Sequence, residues 1–504
     1  MIDKDLRILK EFDQEISLLT SLAELLNWDQ QTIIPKAAFS ERGDQLAYLH
    51  KKIHSKKIDP QLLQVLKSLQ SRHSKLSFID KALIKKYQKE VHIARSIPVH
   101  HIEQFAKAAT ASFEAWTTAR KQNNFAIFAP HLQKIIKLKQ QEAKYINPKL
   151  NPYQVHLDLF EEGATLTQMD QLFSYLKREL IPLIQAIKKS QVYKNQKDKL
   201  KSLPYTKVGE IQAATQIASL ILQSPQRVHL GESIHPFSTQ ISYNDIRITT
   251  ATRKTQPLFC FTSASHEAGH ALYDLNISSK LKNSILWDGS SLGLHESQSR
   301  LWENQITLSK PFWKFYYKTF QKHLPALQTL SVSEFYEQIN QVKPGPVRLA
   351  ADEVTYCLHI IIRYEIERAL LTGTLTVKDL PKTWNALYRK YLGTTPKDDL
   401  HGVLQDVHWT DGSFGYFPTY ALGTIYSAMI YNAVKKQHPQ LEREVQKGNF
   451  SYLREWLKTN IHRFGATKKA KDIVEIACKK QTTSQDFINY LWEKYGSLYH
   501  LKRS

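Results

Sequence analysis

In the run CFTSASHEAGHALYDLN (260–276), His266 and His270 stand four residues apart with Glu267 beside the first. On a helix that spacing puts two imidazoles on one face about one turn apart. Two neutral imidazoles so presented can hold one divalent ion at about 2.0–2.1 Å from each nitrogen. Glu267 would then reach a metal-bound water rather than the metal, as a general base that passes its proton to a leaving amine. H-E-x-x-H fixes only three positions, and two surface histidines on a helix are the plain alternative. Two features favour the metal. Ala264, Ala268, Gly269, Ala271 and Leu272 make this helix small and apolar, as a buried metal helix should be. Glu296, in GLHESQSRLWENQ (293–305), follows His270 by 26 residues, room for a loop and a return helix carrying a third ligand. Two His and one Glu leave a fourth position for water, the open arrangement of a catalytic site. There a metal lowers the water's pKa and polarises a scissile carbonyl. The competing role for Glu296 is an ion pair with Arg300 at i+4 on a helix surface.

These residues need helices to position them, and the chain is built to supply helices. Only 17 of 504 residues are glycine, which disfavours many short strands joined by tight turns. Apolar residues recur at three- and four-residue spacing in Leu6, Leu9, Phe12 and Ile16, then in Leu18, Leu19, Leu22, Leu25 and Leu26. Similar stripes run through 80–121, 126–146 and 167–190. Pro35, Pro60, Pro98, Pro130 and Pro148 are expected to break helices between them. FSTQISYNDIRITTAT (237–252) alternates around Ile241, Tyr243, Ile246 and Ile248 and predicts a small hairpin or ribbon. Gly402, Gly412, Gly415 and Gly423 mark an aromatic loop segment of the kind that lines sites. No Gly-, Ser- or Pro-rich linker divides the chain. The expectation is one mainly α catalytic module over 1–504: helices over about 1–225, metal and substrate motifs over 235–425, closing helices over 426–504.

The formal charge is +22, which invites a nucleic-acid reading. The lysine-rich stretches lack the interleaved aromatics of a base-stacking platform, so a solvated helix face is the expected role. Cys260, Cys357 and Cys478 lie far apart without CxxC spacing, which fits a reducing cytoplasm. No apolar run reaches the length of a membrane span.

HEAGHALY (266–273) followed by HESQSRLWEN (295–304) resembles the zinc carboxypeptidases of the thermostable carboxypeptidase 1 type. LLNWDQQTIIPKAA (25–38) with Arg42 looks like that family's opening signature. Asp245, Arg247 and Thr249 fill its D-x-R-x-T pattern. Arg348, Ala351 and Asp352 in VRLAAD fill I-R-x-x-A-D, with Val347 in place of Ile. Gly402, Gln405, Asp406, His408 and Trp409 fill G-x-x-Q-D-x-H-W.

The resemblance implies a helical, groove-containing fold similar to neurolysin and angiotensin-converting enzyme, with a small β element near the active site. It implies a metallocarboxypeptidase releasing single C-terminal residues from peptides with broad specificity, usually as a homodimer. His266, His270 and Glu296 would hold the metal, Zn²⁺ or alternatively Co²⁺, and Glu267 would be the base. Arg348 would pair with the substrate's free terminal carboxylate, since a guanidinium stays charged and binds carboxylates bidentately. Its competing role is an ion pair with Asp352 at i+4. Arg247 would touch the same carboxylate or brace its strand through Asp245. His408 and Tyr420 resemble donors to the tetrahedral oxyanion, with Tyr416, expected in the same loop, competing for the tyrosine's part. Related zinc enzymes often carry Asp four residues after the glutamate ligand; here Arg300 stands there. Asp245, Asp352 and Asp406 become the candidates for orienting the ligands. The alternatives are an oligopeptidase or endopeptidase on the same core, and a basic nucleic-acid-binding protein with a structural metal. Under the preferred reading neither a specific nucleic acid nor a membrane is a partner.

Overall fold

Leu9, Phe12, Ile16, Ala23 and Trp28 form the buried stripe of the first helix, Ile2–Thr32. Leu18 and Leu22, expected on that stripe, are instead 51% exposed each. The computed structural model describes residues 2–254, 256 and 258–503. It is 70% helix and 3% strand, a mainly α fold. Four of the five boundary prolines fall at helix ends: Pro60 opens Pro60–Gln70, Pro98 precedes Val99–Gln122, Pro35 precedes the short 3₁₀ helix Lys36–Ala38, and Pro148 lies in the turn after Phe125–Ile146.

Pro130 does not break its helix; it lies within Phe125–Ile146. Phe128, Leu132, Ile135 and Ile136 on that helix are at most 2% exposed. Burying each contributes about 1.5–3 kcal/mol, and together they outweigh the cost of about 3 kcal/mol for an interior proline.

Among the described residues the strands form one three-stranded sheet: β1 (Val228–Glu232), β2 (Ser238–Ser242) and β3 (Asp245–Thr250), in the order β1-β3-β2. The expected hairpin is β2–β3, antiparallel, with a register shift between Gln240 and Ser242. β1 was not anticipated; it runs parallel to β3, with Val228 opposite Ile246. Ile241, Ile246 and Ile248 are buried on this sheet. Thr250, at the end of β3, donates its hydroxyl to the Cys260 carbonyl at 2.8 Å and so ties the sheet to the first turn of Phe259–Asn276.

The chain divides into two compact units. The first comprises Met1–Arg95, Asp198–Ile339 and Ile430–Lys480; the second comprises Ser96–Lys197, Asn340–Met429 and Gln481–Ser504. The first holds the sheet and the H-E-x-x-H helix, and the second holds the V-R-L-A-A-D and G-x-x-Q-D-x-H-W motifs. No helix among the described residues is long and apolar enough to cross a membrane.

Candidate metal centre

Ala264, Ala268 and Ala271 on the helix Phe259–Asn276 are 0% exposed, and Gly269 shows why this face is small. A Cβ on Gly269 would lie 2.6 Å from the Gln298 carbonyl oxygen and 2.7 Å from Ser299 Cα. The helix therefore crosses Leu292–Arg300 backbone to backbone, a spacing only glycine permits. Ser291 opens the second helix by accepting the Leu294 N–H at 3.0 Å. Beyond Arg300 that helix widens into a π-helical turn, Leu301–Thr307, fastened to the first helix by Ser265 and Thr307 hydroxyls at 3.1 Å. The crossing brings His266 Nε2 and His270 Nε2 each to 3.4 Å from Glu296 Oε2. All three ligand atoms lie within 4.8 Å of one another, and among the described residues this is the one such cluster.

The remaining atoms of these three side chains are occupied. His266 Nδ1 meets Glu303 Oε2 at 2.8 Å. His270 Nδ1 meets His295 Nδ1 at 2.5 Å, and His295 Nε2 meets Asp274 Oδ1 at 2.9 Å. Arg300 Nε donates to Glu296 Oε1 at 2.8 Å, so the i+4 pair forms, but in a buried place and on the oxygen facing away from the histidines. The orienting groups are thus Glu303, His295 and Arg300, not the expected Asp245, Asp352 and Asp406. Those three are committed elsewhere: Asp245 to Arg247, Asp352 to the N–H groups of Lys343, Val354 and Thr355, and Asp406 to two arginines. Helical spacing could have found the real partners. Glu303 lies two turns beyond Glu296, and Asp274 lies one turn beyond His270.

The electrostatics favour a cation. Burial opposes charge on His266, yet Glu296 and Glu303 outweigh it and push that imidazole up to about 10. Burial pushes His270 down to about 3, which keeps it neutral at pH 7. Glu296 is held well below the usual carboxylate range, because Arg300 and His266 overcome its burial. Glu267, 7% exposed, is pushed up to about 7, chiefly by burial and further by Glu296 and Glu303. Two imidazole nitrogens and one carboxylate oxygen, with their other atoms bonded, form a donor set that fits a divalent transition ion.

In the second unit Arg348, 6% exposed, directs Nε and Nη2 at Asp406 Oδ1, both at 2.9 Å. The competing pair with Asp352 does not form. Arg363, fully buried, reaches the other oxygen of Asp406 through Nε at 2.7 Å and through Nη2. Arg363 also donates to Gln405, Tyr388 and the His359 carbonyl. Gln405 accepts the Arg348 backbone N–H at 2.9 Å. The Q-D pair of G-x-x-Q-D-x-H-W therefore fixes the turn that presents Arg348.

Residues 8–495 match the family described as Carboxypeptidase Taq (M32) metallopeptidase. Carboxypeptidase 1 of Bacillus subtilis is 34% identical over 489 residues, 97% of each chain. Thermostable carboxypeptidase 1 of Pyrococcus furiosus is 32% identical, covering 94% of each chain. The solved M32 carboxypeptidase from Deinococcus radiodurans superposes with a TM-score of 0.95 at 32% identity, over 99% of this chain and 100% of that one. The chain belongs to the M32 metallocarboxypeptidase family. The family implies a divalent metal and peptide substrates, and neither the endopeptidase nor the nucleic-acid alternative is favoured.

The other candidate residues of this M32 chain fall into two groups. Arg247 stays in the first unit, where Nε and Nη2 grip Asp245 at 2.8 Å each and its guanidinium lies 4.5 Å over Trp28. That is the strand-bracing arrangement. Trp28 belongs to the opening signature, whose Arg42 pairs with Asp29 at 2.7 Å and bonds the Leu26 carbonyl, closing the turn between the first two helices. His408, Tyr416 and Tyr420 lie with Arg348 in the second unit. Tyr420 is not in the loop with Tyr416; it sits on the first turn of Phe417–Gln437, its hydroxyl 3.4 Å from that of Tyr416. Its ring lies 5.5 Å from the Arg348 guanidinium. Burial pushes His408 down to about 4, so it is neutral at pH 7.

Proposed function

We propose that this M32 carboxypeptidase releases single residues from the free C-termini of peptides with broad specificity, the whole chain acting as one catalytic module. Zinc held by His266, His270 and Glu296 is the proposed metal, with cobalt a competent substitute. When bound, such an ion supplies Lewis acidity to a scissile carbonyl and acidity to a water. Glu267, poised near neutral pH, takes the proton from the attacking water and passes it to the leaving nitrogen. Arg348 pairs with the terminal carboxylate; Nε and Nη2 are engaged on Asp406, so Nη1 is the edge offered. His408, neutral at pH 7, and a tyrosine of the Tyr416–Tyr420 pair donate to the oxyanion. Arg247, already bidentate with Asp245, is assigned to bracing. The resemblance supports a homodimer, and three cysteines that form no disulfide support a cytoplasmic location.

The observation that carries this reading is the convergence of His266, His270 and Glu296 beside the buried Glu267. The test is amino-acid release from matched free-acid and C-terminally amidated peptides, with and without chelator. Free acids should be trimmed one residue at a time, amides spared and chelated enzyme inactive. Amides cut as fast as acids would make the protein an endopeptidase, and release that survives chelation would remove the metal from the chemistry.

A further inference from the structure

The two histidines of the metal centre are oriented by different means. His266 Nδ1 meets a carboxylate directly, Glu303 Oε2 at 2.8 Å. His270 Nδ1 meets a second imidazole, His295 Nδ1 at 2.5 Å, and only His295 reaches a carboxylate, Asp274 Oδ1 at 2.9 Å. Two facing ring nitrogens make a hydrogen bond only when one carries a proton and the other a lone pair. An ionised carboxylate accepts and does not donate, so Asp274 calls for the proton on Nε2 of His295. In the neutral ring this leaves the lone pair on Nδ1 of His295. That lone pair in turn calls for the proton on Nδ1 of His270. The Nε2 lone pair of His270 is then the one facing Glu296 Oε2, 3.4 Å away.

We infer that Asp274 and His295 form a relay that sets the tautomer of His270 and thereby readies it to bind the metal. Both are positioning residues, and neither ligates. With one nitrogen bonded to His270 and the other to Asp274, His295 has no lone pair left for an ion. The ring is held for this task. It stacks on His270 with centroids 4.6 Å apart at 30°, and lies 5.2 Å from the Tyr273 ring. A Cβ on Gly289 would come within 2.6 Å of His295 Cδ2, so the backbone at 289 closes on the ring. Asp274 is 2% exposed and shares a helix with His270, while His295 immediately precedes Glu296. The relay is therefore built from the same two helices that carry the ligands.

The inference rests on the ligand set given under the proposed function, and its test keeps the two apart. The full chain is stripped of metal and titrated with Co²⁺ and Zn²⁺ against a chromophoric chelator, and the visible spectrum of the Co²⁺ form is recorded. His295→Asn keeps an acceptor oxygen near the place of Nδ1, whereas His295→Leu fills similar space without one. His295→Leu and Asp274→Ala are expected to weaken metal affinity by about 10- to 100-fold, the usual cost of losing a group that orients a ligand. His295→Asn is expected to stay within about threefold of wild type, because the acceptor for His270 is retained. A purely space-filling His295 gives the reverse order, Leu tolerated and Asn not, and that result overturns the relay. Wild-type affinity and an unchanged Co²⁺ spectrum in Asp274→Ala overturn it as well, and this variant leaves the stacked ring intact should the Leu substitution not fold. His270→Ala is the control. If it binds metal as tightly as wild type, the ligand set itself is wrong. If it loses metal while both relay variants keep it, the relay alone is wrong.

Discussion

The two units each bury a charged cluster, and the clusters carry opposite excess. Around His270 stand three acids, Glu267, Glu296 and Glu303, against two cationic groups, Arg300 and the raised His266 imidazole. Around Asp406 stand two arginines, Arg348 and Arg363. Asp406 is held well below the usual carboxylate range, because Arg363 and Arg348 outweigh its burial. Buried charge of one sign is costly unless something completes it. The first cluster fits completion by a cation, and the second by an anion such as a peptide's terminal carboxylate. The polar groups behind each cluster differ accordingly. Imidazole tautomers are set in the first, whereas in the second a guanidinium is clamped on one edge and left available on another.

The largest way to break the comparison is on the acidic side. Glu267→Gln keeps the shape and hydrogen-bonding reach of the side chain but cannot accept the proton. We expect kcat on a free-acid peptide to fall by about 10²- to 10⁴-fold, with metal content by elemental analysis unchanged. A loss below tenfold would end the general-base assignment. On the basic side, Asp406→Asn leaves two buried guanidiniums facing each other without a counter-charge. Breaking a buried pair in this way costs about 3–5 kcal/mol, so denaturant unfolding should shift by that order. Surviving folded protein should show a raised KM for free acids more than a lowered kcat, since Arg348 loses its clamp. An unchanged unfolding midpoint would mean that Asp406 does not hold the pair.

How legible each cluster was follows from how local it is. His266, Glu267, His270 and Glu296 could be read because helical spacing places them, and the helix face that carries them is visibly small. Glu303 and Asp274 are equally local, at helical offsets from Glu296 and His270, whereas His295 is adjacent to Glu296 and its pairing with His270 spans 25 residues, which no spacing rule announces. Arg363 belongs to no motif, but its signal is physical: one cation in the apolar run CLHIIIRYEI (357–366), where a buried charge must find a partner. The parallel strand β1 and the close approach at Gly269 could not be read. One is a pairing across sequence distance and the other a backbone contact that leaves no pattern. Pro130 shows the opposite limit, where a strong local rule was overridden by the core its helix buries.

A smaller effect separates the clusters by pH. Behind the basic cluster, Glu367 is fully buried and accepts from Trp409 Nε1, the Tyr153 hydroxyl and the Gly415 N–H, at 2.9, 3.0 and 3.0 Å. Burial nevertheless pushes it up to about 7. A carboxyl raised in the folded state contributes stability that is fully present below its unfolded value of about 4.3 and lost as pH rises through the folded value. Relative to Glu367→Gln, the wild type should therefore lose stability between about pH 4 and 7, by at most about 1.4 kcal/mol per pH unit. Thermal unfolding of both proteins across that range measures the gap. A gap that does not change with pH would mean that Glu367 titrates in the folded protein as it does in the unfolded chain, so that burial does not raise it.

The smallest expected effect concerns the +22 that belongs to neither cluster. A buried cluster acts through geometry at contact and is little screened, whereas surface charge acts at a distance and is screened within about 10 Å at 0.1 M salt. Raising salt should therefore leave kcat alone and lower kcat/KM only for peptides rich in Asp and Glu. A few-fold fall is expected, below the roughly 10- to 1,000-fold gain that focused steering supplies, because these lysines are spread over many helices. The decisive comparison is between acidic and neutral peptides sharing one C-terminal residue, so that the Arg348 contact is common to both. A parallel salt response in the two would place the effect at the terminal carboxylate rather than on the surface. A fall confined to the acidic peptide would give the charge excess a kinetic role that the buried groups do not share.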